Sequence, residues 1–99
     1  MFYHVVLMRL ERVDAAFHAR VEQYAGVIRR DLSGIVSYRY GRNLAGRGKG
    51  YDWAVIGVFA SAADHDAYQL SRAHQELKAY MTPHIADMVV CDVDAPRPA

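Results

Sequence analysis

The sequence is poor in cysteine and in net charge and has no long apolar run, and each shortage removes a class of protein. A single cysteine, Cys91, leaves no internal disulfide to form. That excludes a disulfide-stapled scaffold and fits a reducing compartment, so a cytoplasmic location is expected. Twelve basic and eleven acidic side chains leave a formal charge of +1, too weak a field to favour nucleic acid or a membrane surface as a partner. The longest apolar stretch, Trp53 to Ala60, is far shorter than the roughly 18 residues of a membrane span. The first residues, Phe2-Tyr3-His4-Val5-Val6, lack the basic leader and small-residue cleavage site of a signal peptide, so a soluble protein is expected.

What the chain does contain is enough for one core. Its 99 residues are 53% hydrophobic and 23% charged, which suits one folded domain over residues 1–94 with a short polar tail at 95–99. No internal repeat is visible.

Residues 2 to 10 alternate as a strand, with Phe2, His4, Val6 and Met8 on one face and Tyr3, Val5 and Leu7 on the other. Asp14 is the expected N-cap of a helix reaching about Arg30, its stripe carried by Phe17, Val21, Tyr24 and Ile28. Ser33-Gly34 ends it. A weaker strand follows from Ile35 to Gly41, with Val36, Tyr38 and Tyr40 expected on one side. Residues 42 to 50 are glycine-rich and basic and read as a mobile hairpin loop. Tyr51 to Phe59 is the best strand and should be central. Ser61 starts a helix to about Gln69, a second helical piece covers Arg72 to Met81, and Pro83 stops it. Met88 to Val93 is the last strand.

The order is βαββαβ, which predicts an α+β, ferredoxin-like fold: a four-stranded antiparallel sheet with both helices on one face. Two helices cover one face only, yet Val5, Leu7, Ala54, Ile56, Val58, Val89, Cys91 and Val93 fall on the other. At about 25 cal/mol per Å², leaving a few hundred Å² of that face wet forgoes several kcal/mol. A second copy of the chain is the simplest cover, so a homodimer through the open sheet face is expected.

His4 in an apolar first strand, Gly41-Arg42-Asn43 after the second, Gly50-Tyr51-Asp52 opening the third, then Tyr68, Ala73-His74 and Pro83 occur in an order that resembles the stress-responsive dimeric α/β-barrel family. The resemblance covers residues 2 to about 94. It implies a dimeric α/β barrel and a ligand pocket between sheet and helices suited to a small hydrophobic molecule. The family includes heat-stable plant proteins, a plant polyketide cyclase and many bacterial proteins of unknown activity. Residues matching the cyclase's catalytic groups are His4, Tyr68 and His74, with His74 as base, Tyr68 as oxyanion partner and His4 orienting or sharing the proton. Tyr24 and Trp53 are the candidate ligand contacts, and Trp53 stands where the cyclase has another pocket histidine.

The chemistry of these residue types agrees with that implication. An imidazole with a pKa near 6.5 can accept a proton at neutral pH, and a tyrosine hydroxyl can polarise a carbonyl oxygen. Taken alone, though, a histidine on an apolar strand reads as a core residue bonded to a neighbour. Two functional readings follow: a dimeric binding protein with an apolar pocket, or a polyketide-cyclase-like enzyme that moves protons without a cofactor. A monooxygenase of the wider dimeric-barrel group is a third.

No histidine pair has the close spacing of a zinc helix, so no metal site is expected, and His18 and His65, near helix starts, read as solvated. The Gly46-Arg47-Gly48-Lys49-Gly50 loop lacks the full phosphate-loop pattern. Trp53, Tyr38 and Tyr40 do not follow the strand motif of sheet-type RNA readers.

Overall fold

A computed structural model describes residues 1–96. Strand β1 (Phe2–Leu10), helix α1 (Ala15–Asp31), strands β2 (Ile35–Arg42) and β3 (Trp53–Phe59), helices α2 (Ala62–Leu70) and α3 (Arg72–Met81), a 3₁₀ turn (Thr82–His84) and strand β4 (Ile85–Asp94) follow in that order. The strands form one antiparallel sheet, β2-β3-β1-β4. The fold is the expected ferredoxin-like βαββαβ arrangement, with its two longest-paired strands, β1 and β3, in the centre. Of the expected tail, residues 97–99 lie outside the described residues.

Local chemistry places the helices. Asp14 Oδ1 accepts from the Phe17 N–H at 2.8 Å, capping α1. Ser61 caps α2 by accepting from the Asp64 N–H, and its hydroxyl donates to Asp64 Oδ2 at 2.8 Å. After α1 the chain reverses through Gly34, whose φ of +77° and contact with the Asp64 side chain leave no space for a Cβ.

Phe17, Val21, Ala25 and Ile28 of α1 and Leu77 and Met81 of α3 are buried on Met8, Tyr38, Val55 and Phe59 of the sheet. Each large side chain so buried contributes about 1.5–3 kcal/mol. β2 departs from simple alternation. Its pairing with β3 shifts between Ile35 and Ser37, so Ile35 packs on the core while Val36 is 53% exposed. The expected inward side for Val36 is therefore corrected: one extra residue in a bulge reverses the facing of everything before it.

The opposite face is bare, as the strand pattern requires. Tyr3, Ile56, Val89 and Val93 are 41%, 45%, 47% and 49% exposed. β4 has no helix above it either, and Met88 and Val90 on its inner side are equally open. Among the described residues, no helix is long and apolar enough to cross a membrane.

Candidate functional site

Strand register builds the floor of the site. Tyr38 on β2 faces Gly57 on β3, Gly57 faces His4 on β1, and His4 faces Asp92 on β4, so these four residues form one row across the whole sheet. Directly opposed residues of antiparallel strands project from the same face, here the face under the helices. Gly57 supplies room in the row: a Cβ there would stand 2.8 Å from the Phe59 ring and 3.3 Å from Tyr38.

His4 is 5% exposed, and its Nδ1 lies 2.5 Å from Asp92 Oδ1. A carboxylate only accepts, so a neutral His4 carries its proton on Nδ1 and presents Nε2 as an acceptor. Tyr38 meets Tyr68 of α2, hydroxyl to hydroxyl, at 2.7 Å. Burial raises both phenols, Tyr38 well above its ordinary range. Tyr68 is pushed up to about 12, chiefly by burial, with the Tyr38 hydrogen bond opposing and the Asp92 charge adding. Both are therefore protonated at neutral pH. When Tyr38 donates to Tyr68, the Tyr68 proton is free for another acceptor.

His74 stacks on Tyr68 with ring centroids 4.4 Å apart. Ser71 caps α3 by accepting from the His74 N–H at 3.1 Å, which fixes where this side chain leaves the helix. Burial, foremost, lowers the His74 pKa, and the Gln69 carbonyl, 3.3 Å from its Nδ1, partly opposes that. The ring is neutral at pH 7, with Nε2 as its acceptor.

His4, Tyr68 and His74 all line one cavity of about 230 Å³. Its remaining wall is mostly apolar, from Val6, Met8, Val55, Leu77, Met81 and Val90, with Lys78 also in the lining. The lining runs from α3 to the inner side of β4. The three candidate catalytic side chains share the cavity without bonding to one another. Tyr24 and Trp53 lie elsewhere. Tyr24 packs on Tyr80 at 5.5 Å, and Trp53 stacks on His18, at 3.9 Å, and on Tyr40, at 5.5 Å, the three rings in mutual contact.

Two histidines expected in solvent are not there. His65 is 4% exposed and packs 4.6 Å from the His4 ring. It stands three residues before Tyr68, on the same helical face, so what buries Tyr68 buries it. His18 is half-buried on Trp53, with its Nδ1 2.7 Å from the Tyr40 hydroxyl. Asp92 was not foreseen at all, although it continues the Met88, Val90 alternation into the cavity face.

Residues 2–95 match the stress responsive A/B barrel domain family. The chain belongs to that family. Solved structures agree with this A/B barrel assignment. A dimeric ferredoxin-like protein of unknown function from Thermobifida fusca is 22% identical, with 95% of this chain and 90% of that one covered at a TM-score of 0.81. A hydroxynitrile lyase from Passiflora edulis is 18% identical, with 98% and 96% covered and a TM-score of 0.80. An A/B barrel protein of the same family from Mesorhizobium loti is 16% identical, with 97% of each chain covered and a TM-score of 0.78. No curated protein sequence matches this one. At these identities the likeness concerns the fold.

Proposed function

We propose that this A/B barrel protein binds a compact, largely apolar carbonyl compound and moves a proton beside its carbonyl group. The observation that carries the reading is the convergence on one cavity of two imidazoles and a protonated tyrosine. In this mechanism His74 Nε2 removes a proton from the carbon next to the carbonyl. Tyr68, held by Tyr38, donates to the oxygen as negative charge develops there. His4, oriented by Asp92, takes up or returns the proton. Such positioned acid–base groups contribute roughly 10²- to 10⁴-fold each. A volume of about 230 Å³ is just under the ~300–1,000 Å³ of sites for drug-sized ligands, which favours a small substrate. A protein of the same fold is named a hydroxynitrile lyase, which is compatible with an enzymatic reading.

The test is deuterium exchange in D₂O at the acidic C–H of a series of small 1,3-diketones and aryl ketones, followed by NMR. Exchange above the buffer rate, lost in Tyr68→Phe and His74→Asn variants that remain folded by circular dichroism, supports the reading. Tight binding with exchange only at the buffer rate replaces it with that of a carrier, which the apolar wall also suits.

The protein is further proposed to work as a homodimer through the bare sheet face. The exposed side chains of Tyr3, Ile56, Val89 and Val93 support this, as does the dimeric Thermobifida fusca relative of the fold. Sedimentation distinguishes a dimer from a lone 11.2 kDa particle.

A further inference from the structure

His65 has no part in the proton transfer proposed above, yet it is buried beside His4 and Asp92. Its Nε2 is sealed from solvent with no hydrogen-bond partner among the described residues. A buried polar atom without a partner is unfavourable, and folds usually avoid it. The same residue belongs to a cluster of side chains able to ligate a metal. One ring nitrogen each from His4 and His65 and a carboxylate oxygen of Asp92 all lie within 4.8 Å of one another.

We propose that His4, His65 and Asp92 form a binding site for a divalent transition-metal ion of the zinc and cobalt class. Two imidazoles and one carboxylate are the donor set of open zinc sites, which keep a fourth position for water or another ligand, whereas magnesium and calcium prefer all-oxygen shells. Bonds of roughly 2.0–2.2 Å to a tetrahedral ion place its ligand atoms roughly 3.4 Å apart. The present separations, from 2.5 Å for His4 and Asp92 up to at most 4.8 Å, bracket that value. Small side-chain rotations complete the triangle. The Asp92 side chain, 35% exposed, provides the route of entry.

The inference stands apart from the proton-transfer reading but bears on it. With an ion on His4 Nδ1, the His4 proton moves to Nε2, which then donates instead of accepting. An occupied site would therefore silence His4 as an acceptor and act as an inhibitory ion site.

Titrating the untagged, metal-stripped protein with Co²⁺ reads the ion directly, through the intense visible absorption of four-coordinate cobalt, and needs no assay of turnover. The wild type should develop that spectrum and lose it to added Zn²⁺. His65→Leu and Asp92→Asn should weaken Co²⁺ binding by at least the roughly 10- to 100-fold that follows loss of even a ligand's supporting partner. His84→Asn, on the far turn, should leave it unchanged. Circular dichroism and Tm in the absence of metal establish that each variant is folded; if His65→Leu is not, Asp92→Asn alone decides the matter. No cobalt spectrum in the wild type, or the same affinity in folded Asp92→Asn, overturns the proposal. With the diketone exchange test run on metal-stripped protein, its failure leaves this result untouched, and the reverse also holds.

Discussion

His4 and Asp92, 88 residues apart in sequence, face each other across the β1–β4 ladder and meet at 2.5 Å. The pair fixes which nitrogen of His4 is an acceptor. Asp92→Asn keeps the shape but can donate an N–H to the ring, which favours the other tautomer. Diketone exchange should fall roughly 10²-fold, with Tm little changed because Asp92 is partly solvated. Exchange at the wild-type rate in this variant would remove His4 from the mechanism.

Gly57 is the gap in the cross-sheet row. Gly57→Ala forces a methyl group against the Phe59 and Tyr38 rings, neither of which can retreat because both are fully buried. The expected loss is about 1–3 kcal/mol of folding stability, measured by urea denaturation. A neutral effect would mean that the floor of the site is softer than its packing implies.

Tyr38→Phe removes the hydroxyl that meets Tyr68. Tyr68 is 3% exposed, so its own hydroxyl is left with fewer partners, at a cost of about 1–3 kcal/mol. Catalysis should suffer separately. The Tyr68 hydroxyl loses the partner that orients its proton, so kcat should drop beyond what the loss of stability explains.

The sheet face offers a cleaner substitution. Ile56→Lys combined with Val89→Glu places charge on residues 45% and 47% exposed in the single chain. Their desolvation at a dimer interface is costly, so sedimentation should show at least roughly tenfold weaker association, while circular dichroism of each subunit is unchanged. A dimer of undiminished strength would point to pairing elsewhere.

Acid should destabilise the fold through His18. Its pKa is lowered from 6.5, mainly by burial and further by Arg42, with Asp14 opposing. The unfolded chain therefore binds a proton that the folded chain refuses. The His18 contribution is complete above pH 6.5 and is lost as pH falls through the lower folded value. Tm measured from pH 8 to pH 5 should decline, and His18→Gln should flatten that decline. Parallel curves for the two proteins would contradict it.

Much of the fold is legible along the chain because its signals are local. Alternation in residues 2–10 and 53–59 specifies strands, Asp14 and Ser61 specify helix starts, and Pro83 ends α3. The bulge at Ile35 is not legible, since an inserted residue leaves no mark on polarity and only pairing with β3 reveals it. Of the candidate site, the ordered motifs point to His4, Tyr68 and His74, which the structure places around one cavity. His65 carried a weak signal, its helical spacing to Tyr68, which its place near a helix start obscured. Asp92 carried none, because one carboxylate in a terminal strand looks like any solvated group.

The sequence alone determined the order of elements, the two apolar faces of the central strands and the residue types available for proton transfer, since these depend on short-range periodicity and side-chain chemistry. Only the tertiary structure decided which of them meet. The β1–β4 register sets His4 against Asp92, and the seat of α2 brings His65 and Tyr68 down onto that pair. Register and helix placement are settled by packing the whole core at once, so no short stretch of sequence contains them.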